Sequence, residues 1–154
     1  MALLAKDLLQ GTPDEITALQ EAFSQLQTAE IGKTLADAVQ ENQTAIKFGS
    51  TTTQAVAQFD SAANTITIHE RLKKASPAIL AAHLAHEGTH ARFGSKSNSI
   101  DEEYQAFKAQ AEVWDELKGN QSDDQCDAVS NLIAKGERYA KREIRRLYRG
   151  LPEY

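Results

Sequence analysis

The chain has 154 residues, of which 41% are apolar and 25% charged, so it is suited to one folded domain rather than to a disordered chain. Its formal net charge of −5 disfavours general binding to nucleic acid, and no apolar run is long enough to span a bilayer or to act as a signal peptide. The single cysteine, Cys126, excludes an internal disulfide and a thiolate zinc site, and it favours a soluble, cytoplasmic protein.

Two helices are predicted in the N-terminal part of the chain. The run Thr12-Pro13-Asp14-Glu15 combines a capping threonine, proline at the first helical position and acidic residues in the first turn, which is typical of a helix start. Apolar residues then follow at helical spacing, namely Ile16, Leu19, Phe23 and Leu26. A second, shorter helix is predicted from about Thr34 to Gln40.

Three short strands are predicted next, over Thr44–Phe48, Ala55–Asp60 and Thr65–His69. In the third of them, isoleucines alternate with threonines and a histidine, as in a strand that is buried on one face. The segment 61–64 joins the second strand to the third. We interpret these strands as a small antiparallel sheet.

Three helices are predicted in the rest of the chain. The first begins with a capping serine and a proline and covers about Ser76–Phe93. Turn residues follow at Gly94–Asn98, and the next helix covers about Asp101–Lys118. The last helix covers about Gln125–Tyr148.

These elements predict an α+β fold that is mostly helical, with the small antiparallel sheet packed on the helix Ser76–Phe93. The sequence has no internal repeat, low-complexity tract or long linker, so residues 1–154 are predicted to form a single domain. Its core would lie at about 44–118, with helical segments at 12–40 and 125–149.

The helix Ser76–Phe93 contains the run His86-Glu87-Gly88-Thr89-His90. Residues four apart lie on one face of a helix, so His86 and His90 can give two imidazole nitrogens to one metal ion. Glu87 lies beside that face, where it can take a proton from a water molecule that the metal activates. This HExxH pattern predicts one zinc ion per chain. The alternative is two unrelated histidines and a surface glutamate.

A hydrolytic zinc site needs a third protein ligand. The next helix offers Glu102, Glu103, Glu112 and Glu116. Reach from His90 favours the first two, because the others lie several turns further along the helix. Glu103 falls near the centre of the apolar face, whereas Glu102 falls toward the polar side and fits a capping box with Ser99. A carboxylate on an apolar face needs a partner, either the metal or an arginine such as Arg92. We predict that Glu103 is the third ligand.

Further residues are candidates for contacts around the metal. His83 shares the metal-facing side of its helix, where we favour a packed, hydrogen-bonded side chain over one that supports the metal ligands or contacts substrate. Gln110 lies on the same helix face as Glu103 and is a candidate hydrogen-bond donor to one of the metal ligands. The alternative is a partly buried amide near the edge of that face. A donor for the developing oxyanion is also needed. Its candidates are Tyr104, Tyr139, Tyr148, His69 and Arg92.

With these features the chain resembles the gluzincins, the HExxH metallopeptidases that use glutamate as the third zinc ligand. The resemblance covers about Val56–Lys118, and the run Glu103-Tyr104-Gln105-Ala106 is similar to the ExxA run that carries the third ligand in several of these families. It implies a zincin-like fold of a minimal, single-domain kind. It also implies the same three zinc ligands, with Glu87 as general base and acid.

The chain departs from the family pattern in places. Many relatives have an aspartate four residues after the ligand glutamate, where it orients a histidine; here that position is Phe107, so an orienting carboxylate comes from elsewhere or is absent. No third histidine follows Gly94, which excludes the metzincin pattern. The resemblance also implies that the last strand before the motif helix, at Asn64–His69, is a sheet edge that binds extended peptide.

The last predicted helix has a basic face opposite an apolar one. The basic face carries Arg138, Arg142, Arg145 and Arg149. An amphipathic helix that packs by its apolar face is the simpler interpretation, and docking to an acidic protein, a membrane surface or nucleic acid is the alternative. The tail Gly150–Tyr154 could also fold over the cleft as an inhibitory segment.

Together these features predict a zinc metalloendopeptidase that acts on peptide or protein substrates. One alternative is a non-enzymatic binding module whose metal site is structural or vestigial. A fourth protein ligand would indicate such a structural site. Another alternative is a toxin or effector protease that is specific for one host protein.

Overall fold

The computed structural model of the protein describes residues 6–52, 55–94 and 98–154, with Lys6 described in its backbone alone. Six α-helices lie in this part of the chain: α1 Pro13–Leu26, α2 Glu30–Glu41, α3 Pro77–Phe93, α4 Ile100–Leu117, α5 Asp124–Ala134 and α6 Glu137–Leu147. The strands are β1 Leu9–Gln10, β2 Ala45–Gly49, β3 Ala57–Asp60 and β4 Thr65–His69. The predicted α+β class is confirmed. None of the described helices combines the length and the apolar character that a membrane span requires.

The predicted helix starts are confirmed where capping residues were recognised. The Thr12 hydroxyl accepts the Glu15 N–H at 3.3 Å, and the Ser76 hydroxyl accepts the Ile79 N–H at 3.3 Å. Helix α2 begins earlier than predicted, at Glu30, and packs its first turn tightly against the end of α1. A Cβ atom on Gly32 would lie 2.1 Å from the Leu26 carbonyl oxygen, so only glycine fits there.

The sheet is mixed, and the prediction of an antiparallel sheet was wrong. The strand order is β1-β2-β4-β3, in which β2 pairs in parallel with both β1 and β4, and only β3 and β4 are antiparallel. The reason lies in the connections between the strands. After β2 the chain does not form the neighbouring strand but forms β3 at the edge of the sheet. The hairpin turn at 61–64 then brings β4 back between β3 and β2. The two-residue strand β1 was not predicted.

Strand β4 lies inside the sheet. The family resemblance had implied that it is an edge strand, and that expectation was wrong. Ile66, Thr67 and Ile68 are all buried, so both faces of β4 are covered, and the prediction of one exposed face was also wrong. This burial on both sides is typical of a central strand with parallel pairing. The edge nearest α3 is instead β3.

Helix α3 lies at the centre of the fold. The sheet, α1, α2 and α4 all pack against it. The main core between these elements contains Phe23, Leu26, Leu35, Ile46, Ile66, Leu80 and Leu84, all nearly inaccessible to solvent. The motif residues 86–90 are therefore set in a rigid helix that is covered over most of its surface.

The last predicted helix is two helices in the structure. Helix α5 ends before Gly136, whose φ of 102° lies in a region that favours glycine, and α6 begins after it. Helix α6 packs on α4 through Ala140 and Ile144, and its arginines at 138, 142, 145 and 146 are exposed. The simpler interpretation of this helix, packing by the apolar face, agrees with this arrangement.

Candidate metal centre

Two histidines of α3 lie close to a glutamate of α4. His86 Nε2 lies 3.3 Å from Glu103 Oε2, and His90 Nε2 lies 3.4 Å from Glu103 Oε1. One ligand atom from each of the three residues lies within 4.8 Å of the others. This group could hold a metal ion, as the spacing of the motif predicted.

The reach from His90 to Glu103 depends on how α3 ends and α4 begins. Gly94 ends α3 in the left-handed conformation, with a φ of 60°, and the chain reverses before Ile100. Residues 95–97 of the predicted turn Gly94–Asn98 lie outside the described part of the chain. Because the two helices run side by side, the first turn of α4 lies next to the last turns of α3, and this places Glu103 opposite both histidines.

The competing candidates for the third ligand lie elsewhere. Glu116 accepts the backbone N–H of Glu30, and Glu112 lines a small separate cavity together with Arg92. Arg92 is exposed, so the alternative in which it neutralises Glu103 does not apply.

The second ring nitrogen of each histidine has an acceptor. His90 Nδ1 lies 2.8 Å from Glu102 Oε1, and His86 Nδ1 lies 3.1 Å from Gln110 Oε1. With the hydrogen on each Nδ1 donated to these oxygens, each Nε2 presents a lone pair toward Glu103. Gln110 therefore accepts a hydrogen bond from His86, whereas the sequence predicted a donor.

The predicted capping box between Ser99 and Glu102 forms only in part, because the Glu102 side chain does not take part in it. The Ser99 hydroxyl accepts the Glu102 N–H at 3.1 Å, which forms half of the motif. The carboxylate of Glu102 does not return to Ser99; it is buried and bonds to His90. The phase argument placed Glu102 toward the polar side because it assumed one buried face, whereas α3, α5 and α6 all pack against α4.

The two oxygens of the Glu103 carboxylate differ in their hydrogen bonding. Asn98 donates its side-chain N–H to Oε1. Oε2 is buried and has no hydrogen-bond partner among the described residues. It faces His86 Nε2, and an oxygen lone pair that faces a nitrogen lone pair requires a proton or a metal ion between them. An orphan buried acceptor is otherwise costly, so these residues fit a bound cation.

The charge balance of the site also favours a cation. Glu87, Glu102 and Glu103 place three buried carboxylates around two imidazoles. Burial alone disfavours a charged imidazole, yet the carboxylates of Glu103, Glu87 and Glu102 raise the pKa of His90 to about 9. Burial disfavours the charged form of Glu103 too, but its contacts with His86 and His90 lower the pKa of this carboxyl well below its usual range.

Glu87 lies beside the three-residue group and outside it. Its Oε1 is 4.0 Å from His86 Nε2, and the backbone N–H of Phe59 on β3 donates to its carboxylate. Burial raises the pKa of Glu87 above its ordinary value, and Glu103 adds to this, while the two histidines act in the opposite direction. The carboxylate is thus held between the three-residue group and the edge of the sheet.

A cleft of about 420 Å³ opens over these residues, with β3 along one wall. The Val56 carbonyl, just before β3, accepts the His69 N–H at 2.8 Å. In an antiparallel pair every second residue bonds to the neighbouring strand, so the backbone groups of Gln58 also point to β4. Ala57 and Phe59 direct theirs into the cleft, as the bond from Phe59 to Glu87 requires. The open edge at the site is therefore β3.

The candidate donors to the oxyanion differ in whether their side chains reach the cleft. Among the described residues of that set, Tyr148 alone lines the cleft. His69 accepts the Arg71 N–H, and Tyr104 packs beneath the Lys141 ammonium in the small core between α4 and α6. Tyr139 stacks with Lys135 and Arg142.

Tyr148 follows the end of α6 and reaches the cleft beside Phe107. The ring centroids of these two residues are 6.4 Å apart, and the Phe107 ring is 4.7 Å from that of His86. Phe107 thus packs against His86, one of the two histidines that face Glu103. The Tyr148 hydroxyl has no hydrogen-bond partner among the described residues. Burial, and then the negative Glu103 and Glu87, raise the pKa of Tyr148, so its phenol keeps its proton.

His83 is a buried, uncharged wall of the cleft. It is 4% exposed, and its Nε2 lies 4.0 Å from the Sγ of Cys126. Burial, followed by the neighbouring His86, lowers the pKa of His83 from 6.5 to about 4. This agrees with the packed histidine that was favoured from the sequence, and the side chain also lines the cleft.

The lowered pKa of His83 predicts a pH-dependent stability. Between pH 6.5 and 4 the unfolded chain binds a proton that the native imidazole does not, so the stabilising effect of neutral His83 is complete above pH 6.5 and is lost as the pH falls to about 4. In urea unfolding of the metal-free protein, wild type should lose about 3 kcal/mol more than His83→Gln between pH 7 and pH 4. Equal pH slopes for the two proteins would contradict the assignment.

Comparison of the chain with protein-family models, curated protein sequences and solved structures finds no match. The chemistry of the site therefore follows from its own residues and their geometry.

Proposed function

We propose that the protein is a zinc-dependent peptidase. The observation that carries this proposal is the buried group of two imidazole Nε2 atoms and the Glu103 carboxylate, whose Oε2 lacks a hydrogen bond among the described residues. Two histidines and one carboxylate form a common ligand set of hydrolytic zinc. A zinc ion held by this group would have three protein ligands among the described residues, and because all three line the cleft, water or substrate could supply a fourth. This disfavours the alternative of a structural site closed by protein.

The residues around the ligands have the positions that peptide hydrolysis needs. When bound, zinc polarises a carbonyl group and lowers the pKa of water. Glu87 accepts the proton of the attacking water and returns it to the leaving amine, and the Phe59 N–H keeps its carboxylate at the cleft wall. The free phenol of Tyr148 donates to the oxygen on which negative charge develops.

The open edge of β3 supports a polypeptide as the substrate. Both backbone groups of Ala57 and the carbonyl of Phe59 face the cleft and are positioned to pair with an added extended strand. Such pairing recognises main-chain groups, which every peptide offers. It would place the chain of the substrate along β3 beside Ala57, next to Glu87.

The proposal is tested by loading metal-free protein with zinc. We expect calorimetry to give one equivalent of bound Zn²⁺ per chain, and a library of unstructured peptides to be cleaved by the loaded protein and left intact by the metal-free protein. Mass spectrometry of the library identifies the products. Stoichiometric zinc binding without any cleavage would contradict the peptidase function, and absence of zinc binding would contradict the metal site itself.

A further inference from the structure

The start of α4 depends on hydrogen bonds from the C-terminal end of the described chain. The first four N–H groups of a helix have no partner inside it. Here the Ser99 N–H bonds to Asn98 Oδ1 at 2.8 Å, and the Glu102 N–H bonds to Ser99 Oγ at 3.1 Å. The remaining two donors, from Ile100 and Asp101, bond to the carbonyl oxygens of Pro152 and Glu153, at 2.8 and 3.2 Å.

The segment Leu151–Glu153, here called the strap, is itself fastened to α6. Arg145 forms two bonds to the Glu153 carboxylate, of 2.7 Å from Nε and 2.9 Å from Nη2. Such paired bonds fix the orientation of both groups. Leu151 also packs into the small core that Ile100 shares with the buried face of α6. The strap thus links α6 to the first turn of α4, and it does not line the cleft that it had been suggested to cover.

Side chains at both ends of this link belong to the cleft. The first turn of α4 carries Glu102, which bonds to His90, and Glu103, which faces both histidines. At the other end, the Leu151 N–H bonds to the carbonyl oxygen of Tyr148, at 3.3 Å. A shift of the strap would therefore change the positions of two carboxylates and one phenol together.

We propose that the strap is a positioning element of the metal site: its docking on α4 holds Glu102 and Glu103 against the histidines. This inference rests on the proposed metal site and adds a segment that supplies no ligand. The strap is separable from the main core, because Pro152 and Glu153 are exposed and the Arg145–Glu153 pair lies at the surface. Undocking it should loosen the first turn of α4 while leaving α3 in place.

The test compares truncation after Gly150 with charge reversals of the fastening pair. The variants are Arg145→Glu, Glu153→Arg and the double swap, which restores an opposite pair. Arg138→Glu is the matched control, since Arg138 is an exposed arginine in the first turn of the same helix, at the opposite end from Arg145. The readouts are amide hydrogen exchange at residues 100–103 in metal-free protein and Zn²⁺ affinity in competition with a chromophoric chelator.

We expect truncation and the single reversals to speed exchange at residues 100–103 and to weaken zinc binding about tenfold, with exchange in α3 unchanged. The double swap should restore both properties toward wild type, and Arg138→Glu should alter neither. Unchanged exchange or unchanged affinity in the truncated protein would overturn the proposal. If truncation prevents folding, the single reversals and their rescue decide the question. If wild type binds no zinc, the proposed function fails. Unchanged exchange at residues 100–103 in the truncated protein would then overturn the positioning role of the strap as well.

Discussion

Replacing Glu87 with glutamine should leave zinc binding intact and lower kcat by about 10²- to 10⁴-fold. The carboxylate lies beside the ligand group, with Oε1 4.0 Å from His86 Nε2, so its loss removes no ligand. An amide of the same shape still accepts the Phe59 N–H but cannot take a proton from water. Initial rates on a peptide identified in the library, together with zinc content by atomic spectroscopy, measure the two effects separately.

Tyr148→Phe is the companion variant for this experiment. It removes one hydrogen-bond donor from the cleft and keeps the base, so kcat should fall with little change in KM or in zinc content.

Glu87→Gln protein that holds zinc and hydrolyses peptide at the wild-type rate would show that Glu87 is not the base. Loss of zinc together with activity would instead place Glu87 among the ligands.

Replacing Glu103 with alanine should abolish stoichiometric zinc binding, whereas Glu102→Ala should weaken it by about 10- to 100-fold. Glu103 contacts both histidines through their Nε2 atoms, and its loss leaves two ligands. Glu102 contacts only the far nitrogen of His90, so its loss frees the ring to rotate without removing a ligand. Chelator competition gives the affinities, and circular dichroism reports whether α4 is retained.

Glu112→Ala is the matched control, because Glu112 is an exposed glutamate of the same helix that lies away from the cleft. It should bind zinc like wild type. A larger loss for Glu102→Ala than for Glu103→Ala would exchange the roles of the two neighbours. Equal, small losses for all three variants would mean that the histidines bind zinc without a glutamate of α4.

The features predicted well from sequence are those fixed by local geometry. The capping residues at Thr12 and Ser76 act within one helical turn, and the spacing of His86 and His90 follows from helical periodicity alone. Reach limited the third member of the group to Glu102 and Glu103, since a short reversal of the chain limits how far a partner can lie along the next helix, and the apolar face of that helix then favoured Glu103. These arguments need no knowledge of distant parts of the chain.

The errors arise where distant segments meet. Strand β4 lies between β2 and β3, an order that alternation in its own sequence cannot indicate. The role of Glu102 depends on which sides of α4 are covered, and the position of Tyr148 depends on a helix that packs there from much later in the chain. One local signal was available and missed: Gly136 within the last predicted helix marked the break between α5 and α6.

The order of the strands also bears on how the protein resists self-association. An open sheet edge is a template for pairing with another copy of a chain, and proteins limit this hazard by keeping edges short or covered. In the described part of this sheet, one edge is β1, which has only two residues, and the other is β3, recessed in the wall of the cleft. The surface that would recruit a neighbouring strand in aggregation is thus the same surface that a peptide would occupy. A tightly bound extended inhibitor should therefore also act as a solubilising ligand.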